Sequence, residues 1–361
     1  MVLFLRTELA TYRSLQRQYH FLINSSSLGL FAQEEHLPAL LGNPSLKLVA
    51  IYSRSLASAK SLSKDLKDVD LYSEDSGEGK GYADLLKRDD LKGVIVCLPI
   101  SNQPTFIKQA LSAGKHVLSE KPVAPTLAAA KDLIDWYRAS IPPSTIWAVA
   151  ENFRYLDTFR YGAEQVSKLG RVLGLRVRMG QMVKPGGKWY ETAWRKTPDY
   201  QGGFLLDGGV HYIAGTRVFL GPANAIVRTS AHTQQLQEHL PPVDTVDATV
   251  KLASGATGTV SMSFGTTFKG NEYSVACEKG TVTVLRGKVV VTKDGEEEVK
   301  EFPDEGSGVT PESRAWGESI VSGKADPRQS PEEALADLEL LEAFLRSGEQ
   351  NGAPVELKYS T

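Results

Sequence analysis

The sequence predicts an α/β protein of two domains. An N-terminal doubly wound parallel sheet is expected over residues 1–150, and a C-terminal α+β domain with a large open, mostly antiparallel sheet over 151–361. Three observations predict this. The length of 361 residues exceeds what one core usually organises. From residue 19 to 150, apolar β-rich runs alternate with helical patterns, as in βαβ units. Beyond Glu151, strand-like runs follow one another with hairpin-like punctuation.

Composition narrows the class. Hydrophobic residues make up 41% and charged residues 23%, ordinary for a globular chain, and the net charge of -2 gives no reason to expect nucleic acid or an anionic membrane as partner. No apolar run approaches the roughly 18 residues that a membrane span needs. Cys97 and Cys277 lie in apolar runs without a CxxC spacing or a histidine nearby in sequence, so both are expected to be buried reduced thiols in a reducing, cytoplasmic setting. Residues 1–18 read as an irregular extension. Arg6, Arg13 and Arg17 give it a weak presequence character, and its apolar start is too short for a good secretory signal.

In chain order, 19–23 reads as a strand and 24–27 as a polar turn, followed by a helix over 33–41 that Gly42-Asn43-Pro44 closes. A β-rich run covers 46–52 and a helix 55–67. A Gly/Ser/acid loop (73–81) and a short helix (82–88) come next. Residues 93–98 form a continuous apolar strand of the kind buried on both faces of a parallel sheet. Helix 102–113, strand 115–119, helix 126–138 and strand 145–150 complete the first domain. In the second, a helix over 157–168 precedes an alternating strand over 172–182, a Gly/Trp-rich loop over 184–203 and a helix over 205–219. Strands are expected at 224–233, 246–253, 257–264 and 272–277, then a hairpin through 280–292 and a loop over 294–308. Ser330-Pro331-Glu332-Glu333 supplies an N-cap, a first-turn proline and a carboxylate three residues after the cap. It starts a last helix that carries Leu335, Leu338, Leu341 and Leu345 on one face.

Three stretches carry chemistry. The turn Ser27-Leu28-Gly29-Leu30-Phe31-Ala32, between a strand and a helix, matches G-x-G-x-x-G/A at the second glycine and the last small residue, with Ser27 at the first glycine. At the end of the next strand, where a carboxylate would hold a ribose 2′-hydroxyl, the chain has Ser53-Arg54. A hydroxyl and a guanidinium suit a 2′-phosphate, so NADP(H) is favoured over NAD(H). Glu120-Lys121-Pro122 closes a strand of the parallel sheet, where such folds bind ligands, and the proline restricts the backbone that aims Lys121. In the second domain, Asp207 and His211 stand four apart on a helix. They share a face and can hydrogen-bond or converge on one substrate; a carboxylate there could fix the imidazole's tautomer and raise its basicity for acid–base work, or simply cap the helix. The flanking pairs Gly202-Gly203 and Gly208-Gly209 would let another backbone or a flat cofactor ring approach closely. No third ligand sits at a recognisable spacing and HExxH is absent, so no metal is expected.

With these motifs the chain resembles the Gfo/Idh/MocA family, from about Ser27 to the end. Leu98-Pro99, the junction Ala150-Glu151-Asn152-Phe153-Arg154-Tyr155 and Trp194-Arg195 extend the likeness, and the junction wording together with Phe31-Ala32-Gln33-Glu34-Glu35-His36 is similar to a fungal branch. The resemblance implies a Rossmann-like first domain and hydride transfer between a nicotinamide and the hydroxyl or carbonyl carbon of a sugar, polyol or related small molecule. It implies that Lys121 hydrogen-bonds the reacting oxygen and that His211 exchanges its proton, with Asp207 orienting His211 or sharing that proton. Ser27, Gly29, Leu30, Phe31, Ser53, Arg54, Leu98, Pro99, Asn102, Glu120, Lys121, Asn152, Trp194 and Arg195 would meet the cofactor. A homodimer or higher homo-oligomer through the open sheet, with a segment such as 257–264 supplying the face, is also implied. Ser27 and the polar strand with His20 and Asn24 depart from the family pattern. They keep open a catalytically silent dinucleotide-binding sensor or scaffold, a sugar-binding module without cofactor, and an N-terminus altered relative to working relatives.

Overall fold

The computed structural model describes residues 30–359. The expected strand 19–23, the turn 24–27 and Gly29 lie outside the described residues. Two compact units emerge: residues up to Ala150 with Val309–Glu333, and Glu151–Gly308 with the residues from Ala334 onward.

In the first unit a π-helical turn, Ala32–His36, runs into α1 (Leu37–Leu41), and β1 (Ala50–Ser53) follows. Next come α2 (Leu56–Ser63), β2 (Asp70–Ser73), α3 (Tyr82–Leu86), β3 (Gly93–Val96), α4 (Gln103–Ser112), β4 (His116–Glu120), α5 (Leu127–Ser140) and β5 (Trp147–Ala150). β1 pairs parallel with β2, and β3, β4 and β5 form a three-stranded parallel sheet. Strands β1, β3 and β5 are buried at every position, which is why they read as unbroken apolar runs. Ser55 and Thr126 cap α2 and α5 by accepting amide protons from Ser58 and Ala129. The pairings Val96↔Ser119 and Ser119↔Val149 bring the carboxyl ends of β3, β4 and β5 into line.

The second unit opens with α6 (Asp157–Lys168), β6 (Val172–Met182), α7 (Ala193–Lys196) and α8 (Gly203–Leu220). Strands β7 (Ile226–Gln234), β8 (Thr245–Leu252), β9 (Thr257–Ser263), β10 (Gly265–Cys277), β11 (Gly280–Leu285), β12 (Lys288–Lys293) and β13 (Glu296–Glu301) follow. After α9 (Val309–Ser322) and α10 (Pro331–Glu349), β14 (Val355–Glu356) completes a nine-stranded sheet of order β13-β12-β11-β10-β6-β9-β8-β7-β14. Only the β6–β9 pair among these is parallel. One face is apolar and buried: along β8, Val246, Ala248, Val250 and Leu252 point inward, while Asp247, Thr249 and Lys251 face out. α6 and α8 meet closely, since a Cβ on Gly215 would fall 2.5 Å from the Phe159 ring.

Two expectations change. The loop expected over 294–308 contains β13, an edge strand exposed at every position and paired to β12 with Lys288 opposite Glu301 and Lys293 opposite Glu296. Cross-strand charge pairing outweighs the poor strand propensity of glutamate, and charge protects the open edge. Residues 309–333, assigned from sequence to the second domain, cluster with the first unit. The reason is a polar anchor and close packing: the Asn43 amide donates to the Ser313 carbonyl (3.0 Å), and Leu46 fills the space left by Gly317. No helix among the described residues is long and apolar enough to cross a membrane.

Candidate active site

In the first unit the chemistry gathers at the carboxyl end of the parallel strands. Glu120 ends β4, and both its oxygens are held: Oε1 lies 2.5 Å from His36 Nε2, and Oε2 accepts the Lys121 amide proton at 3.2 Å. His36 is fully buried, whereas the Glu120 side chain is 13% exposed. Burial opposes a charge on His36, but Cys97 and then Glu120 outweigh it and raise the imidazole well above its usual range. Cys97, expected as a buried thiol with no histidine near it, is half-buried; its sulfur, His36 and Glu120 place ligand atoms within 4.8 Å of one another. The fold overrides the sequence separation, because β3 and β4 are neighbours and the first helical turn delivers His36 to their ends.

Lys121 follows Glu120 and is half-buried, with Pro122 buried behind it. Leu98 is buried, Pro99 half-buried, and Asn102 is exposed at the start of α4. Leu30 and Phe31 are half-buried, and the Phe31 ring stands edge-on to His36 at 5.3 Å. Ser53 is buried at the end of β1 and Arg54 beside it is exposed. The first amide of α2, on Leu56, already donates to Asp75 (2.7 Å). Ser27 and Gly29 lie outside the described residues.

In the second unit α8 carries Asp207 and His211. This helix survives four glycines because packing requires three of them: Gly215 against Phe159, Gly203, where a Cβ would meet the Pro241 carbonyl at 2.2 Å, and Gly208, where one would meet the Phe264 ring at 2.6 Å. The close approach at Gly203 is to a loop backbone, and at Gly208 a core phenylalanine stands where a cofactor ring was expected. Asp207 is 4% exposed and accepts from Arg195 Nε at 2.7 Å, and the Arg195 guanidinium stacks 4.1 Å over the Trp194 ring. Burial and then Asp207 push the Tyr200 phenol above its ordinary range.

His211 is turned to a different carboxylate. Its Nδ1 lies 2.8 Å from Glu151 Oε1, which also accepts the Phe153 amide proton at 3.1 Å, and the Phe153 ring stacks on the imidazole at 5.0 Å. Instead of the pairing that the i, i+4 spacing suggests, the structure shows two pairs, Arg195–Asp207 and Glu151–His211. The junction motif is explained residue by residue: Asn152 donates to the Ser307 carbonyl (2.5 Å), and Arg154, with Arg217, binds the buried carboxylate of Asp337. Burial pushes Asp337 up while the two arginines pull it down. Sequence reasoning does not reach Glu151, Tyr200, His36 and Cys97 as site residues, although Glu151 stands in the junction motif and His36 at the end of the Phe31–His36 motif.

Comparison with known proteins matches both halves of the chain to one family. Residues 27–140 match the NAD-binding Rossmann fold of an oxidoreductase family, and residues 163–357 match that family's C-terminal alpha/beta domain. Dehydrogenase FPY6 of Fusarium mangiferae is 40% identical over 341 residues, covering 92% of this chain and 97% of its own. A D-xylose 1-dehydrogenase (NADP(+)) of Haloferax volcanii is 25% identical over 319 residues, covering 85% and 91%. An oxidoreductase from Thermotoga maritima superposes with a TM-score of 0.82 at 27% identity, covering 93% of this chain and 97% of its own. With both domains matched and a relative this similar over nearly the whole length, the chain belongs to the Gfo/Idh/MocA oxidoreductase family and is an NAD(P)-dependent dehydrogenase or reductase.

Proposed function

We propose that the protein is an NADP(H)-dependent oxidoreductase that moves a hydride between the nicotinamide and the hydroxyl or carbonyl carbon of a sugar, polyol or related small molecule. The observation that carries the acid–base part is His211 held at Nδ1 by a carboxylate that is 2% exposed. Glu151 fixes the ring's tautomer and orientation, so Nε2 is the nitrogen that exchanges the proton of the reacting oxygen. Phe153 holds the ring plane. Lys121 donates to the reacting oxygen and favours its developing negative charge. Asp207, clamped by Arg195, keeps the guanidinium over Trp194, ready for an oxygen-rich substrate or the cofactor.

The cofactor supplies the hydride. Its choice rests on Arg54, whose exposed guanidinium follows β1 and fits a 2′-phosphate, whereas a carboxylate at that position would repel one. The Haloferax volcanii relative named for NADP(+) and D-xylose supports both the cofactor and the sugar class. We further infer a homo-oligomer formed through the outward face of the large sheet, to which Thr257 and Thr259 of β9 contribute exposed side chains. Sedimentation would show a dimer or larger, and a monomer at micromolar concentration would refute it.

The test is titration with NADPH and NADH followed by nicotinamide fluorescence. NADPH should bind more tightly, and Arg54→Ala should weaken NADPH far more than NADH. Equal loss for both nucleotides would overturn the phosphate reading. Screening aldoses and polyols with NADP+ then tests the substrate class.

A further inference from the structure

We propose that His36, Cys97 and Glu120 form a binding site for a borderline-soft divalent cation of the zinc class. Three different segments converge here: the π-helical turn that ends at His36, the residue after β3, and the last residue of β4. An imidazole nitrogen, a thiol sulfur and a carboxylate oxygen lie within 4.8 Å of one another. That donor set is the one zinc and cobalt prefer. Magnesium and calcium, which take oxygen ligands, are disfavoured by the sulfur and the nitrogen. Spacing along the chain hides the site, since no two of the three residues are close in sequence.

The geometry is near what coordination needs. Around a tetrahedral ion, donor atoms stand about 3.5 Å apart. His36 Nε2 and Glu120 Oε1 are 2.5 Å apart, so a cation replaces the proton between them and parts them by about 1 Å. Glu120 can make this movement because it ends a strand and its side chain reaches solvent, while buried His36 stays in place. The thiol proton leaves to solvent as sulfur binds, and a fourth coordination position remains for water. π-helical turns, which carry one extra residue, often mark functional positions, and this one ends on the candidate ligand.

One consequence rests on the function proposed above. A doubly charged ion that takes up Glu120 stands beside Lys121, among residues assigned to the cofactor, so the loaded protein should bind NADPH less tightly.

The test uses the full chain, stripped with a chelator and titrated with Co2+ while thiolate-to-cobalt charge-transfer absorption is followed. One Co2+ per chain with that band, displaced by Zn2+ but not by Mg2+, is expected. Cys97→Ala should abolish the band, His36→Gln should weaken binding about tenfold or more, and Cys277→Ala should leave both unchanged. Circular dichroism checks folding; if His36→Gln does not fold, Cys97→Ala decides. Absence of the band at saturating Co2+, or its survival in Cys97→Ala, overturns the site. NADPH affinity unchanged by Zn2+ overturns the competition alone. Failure of the metal-free protein to bind NADPH would instead refute the cofactor assignment, and the cobalt result would stand apart from it.

Discussion

Each unit sets a histidine against a glutamate, and the two pairs are built with opposite exposure. In the first, the imidazole of His36 is sealed and the carboxylate of Glu120 reaches the surface, 2.5 Å away. In the second, Glu151 is the sealed partner at 2% exposure and His211 is presented at 19%, 2.8 Å away. The buried member of such a pair cannot reach a nucleotide or an organic substrate arriving from solvent, so toward these it serves to hold the other. Glu120 is thus the working group in one unit and His211 in the other. The same two residue types are used in reversed roles.

The largest expected effect comes from removing the presented imidazole. His211→Gln should lower kcat about a thousandfold, within the span of a lost general acid–base group, and leave the NADPH Kd unchanged. If nucleotide binding fell and kcat did not, the division of roles would be wrong. Next, Glu151→Gln keeps an acceptor against Nδ1 but loses the charge, and kcat should fall about tenfold to a hundredfold. Glu120→Gln should act the other way, raising the NADPH Kd more than it changes kcat. Matching kinetic defects in the two glutamine variants would erase the contrast.

A smaller effect concerns the helix that presents His211. Gly208→Ala forces a methyl group to 2.6 Å from the Phe264 ring and should destabilise the protein by about 1–3 kcal/mol, read as a lower midpoint in denaturant. The smallest concerns a third histidine. His116 accepts the Ile146 amide proton at 3.0 Å, and burial, then Lys92, lower its pKa to about 4. The unfolded chain takes up this proton first, near pH 6.5, so stability should decline on acidification from about 6.5 to about 4. Thermal melts of wild type and His116→Asn across that window should show a flatter profile for the variant. The raised pKa of His36 has the opposite sign: its contribution is complete below about 6.5 and fades as pH rises through the folded value.

Much of this was readable in the chain. Continuous apolar runs identified β3 and β5 because both faces are covered, and the Ser-Pro-Glu-Glu start identified α10 because capping is local chemistry. The site was readable where its signal was local and opaque where it was not. Helical spacing correctly put Asp207 and His211 on α8, but spacing fixes a face and not a partner. Arg195 reaches Asp207 from α7, and Glu151 reaches His211 from 60 residues away. The meeting of His36 with Cys97 depends on strand order, which no local pattern encodes. β13 was hidden for another reason: its glutamates look like a solvated loop until Lys288 and Lys293 are known to stand opposite.

The return of Val309–Glu333 to the first unit sets an order of events during synthesis. Ribosomes deliver the sheet-forming residues of that unit early, yet the segment that anchors Asn43 through Ser313 emerges only after the whole of the large sheet except β14. Until then, the surface around Leu46 and Asn43 waits uncovered beside a growing chain. A nascent polypeptide stalled at Gly308 should therefore be far more sensitive to protease in its first 150 residues than one stalled after Glu333.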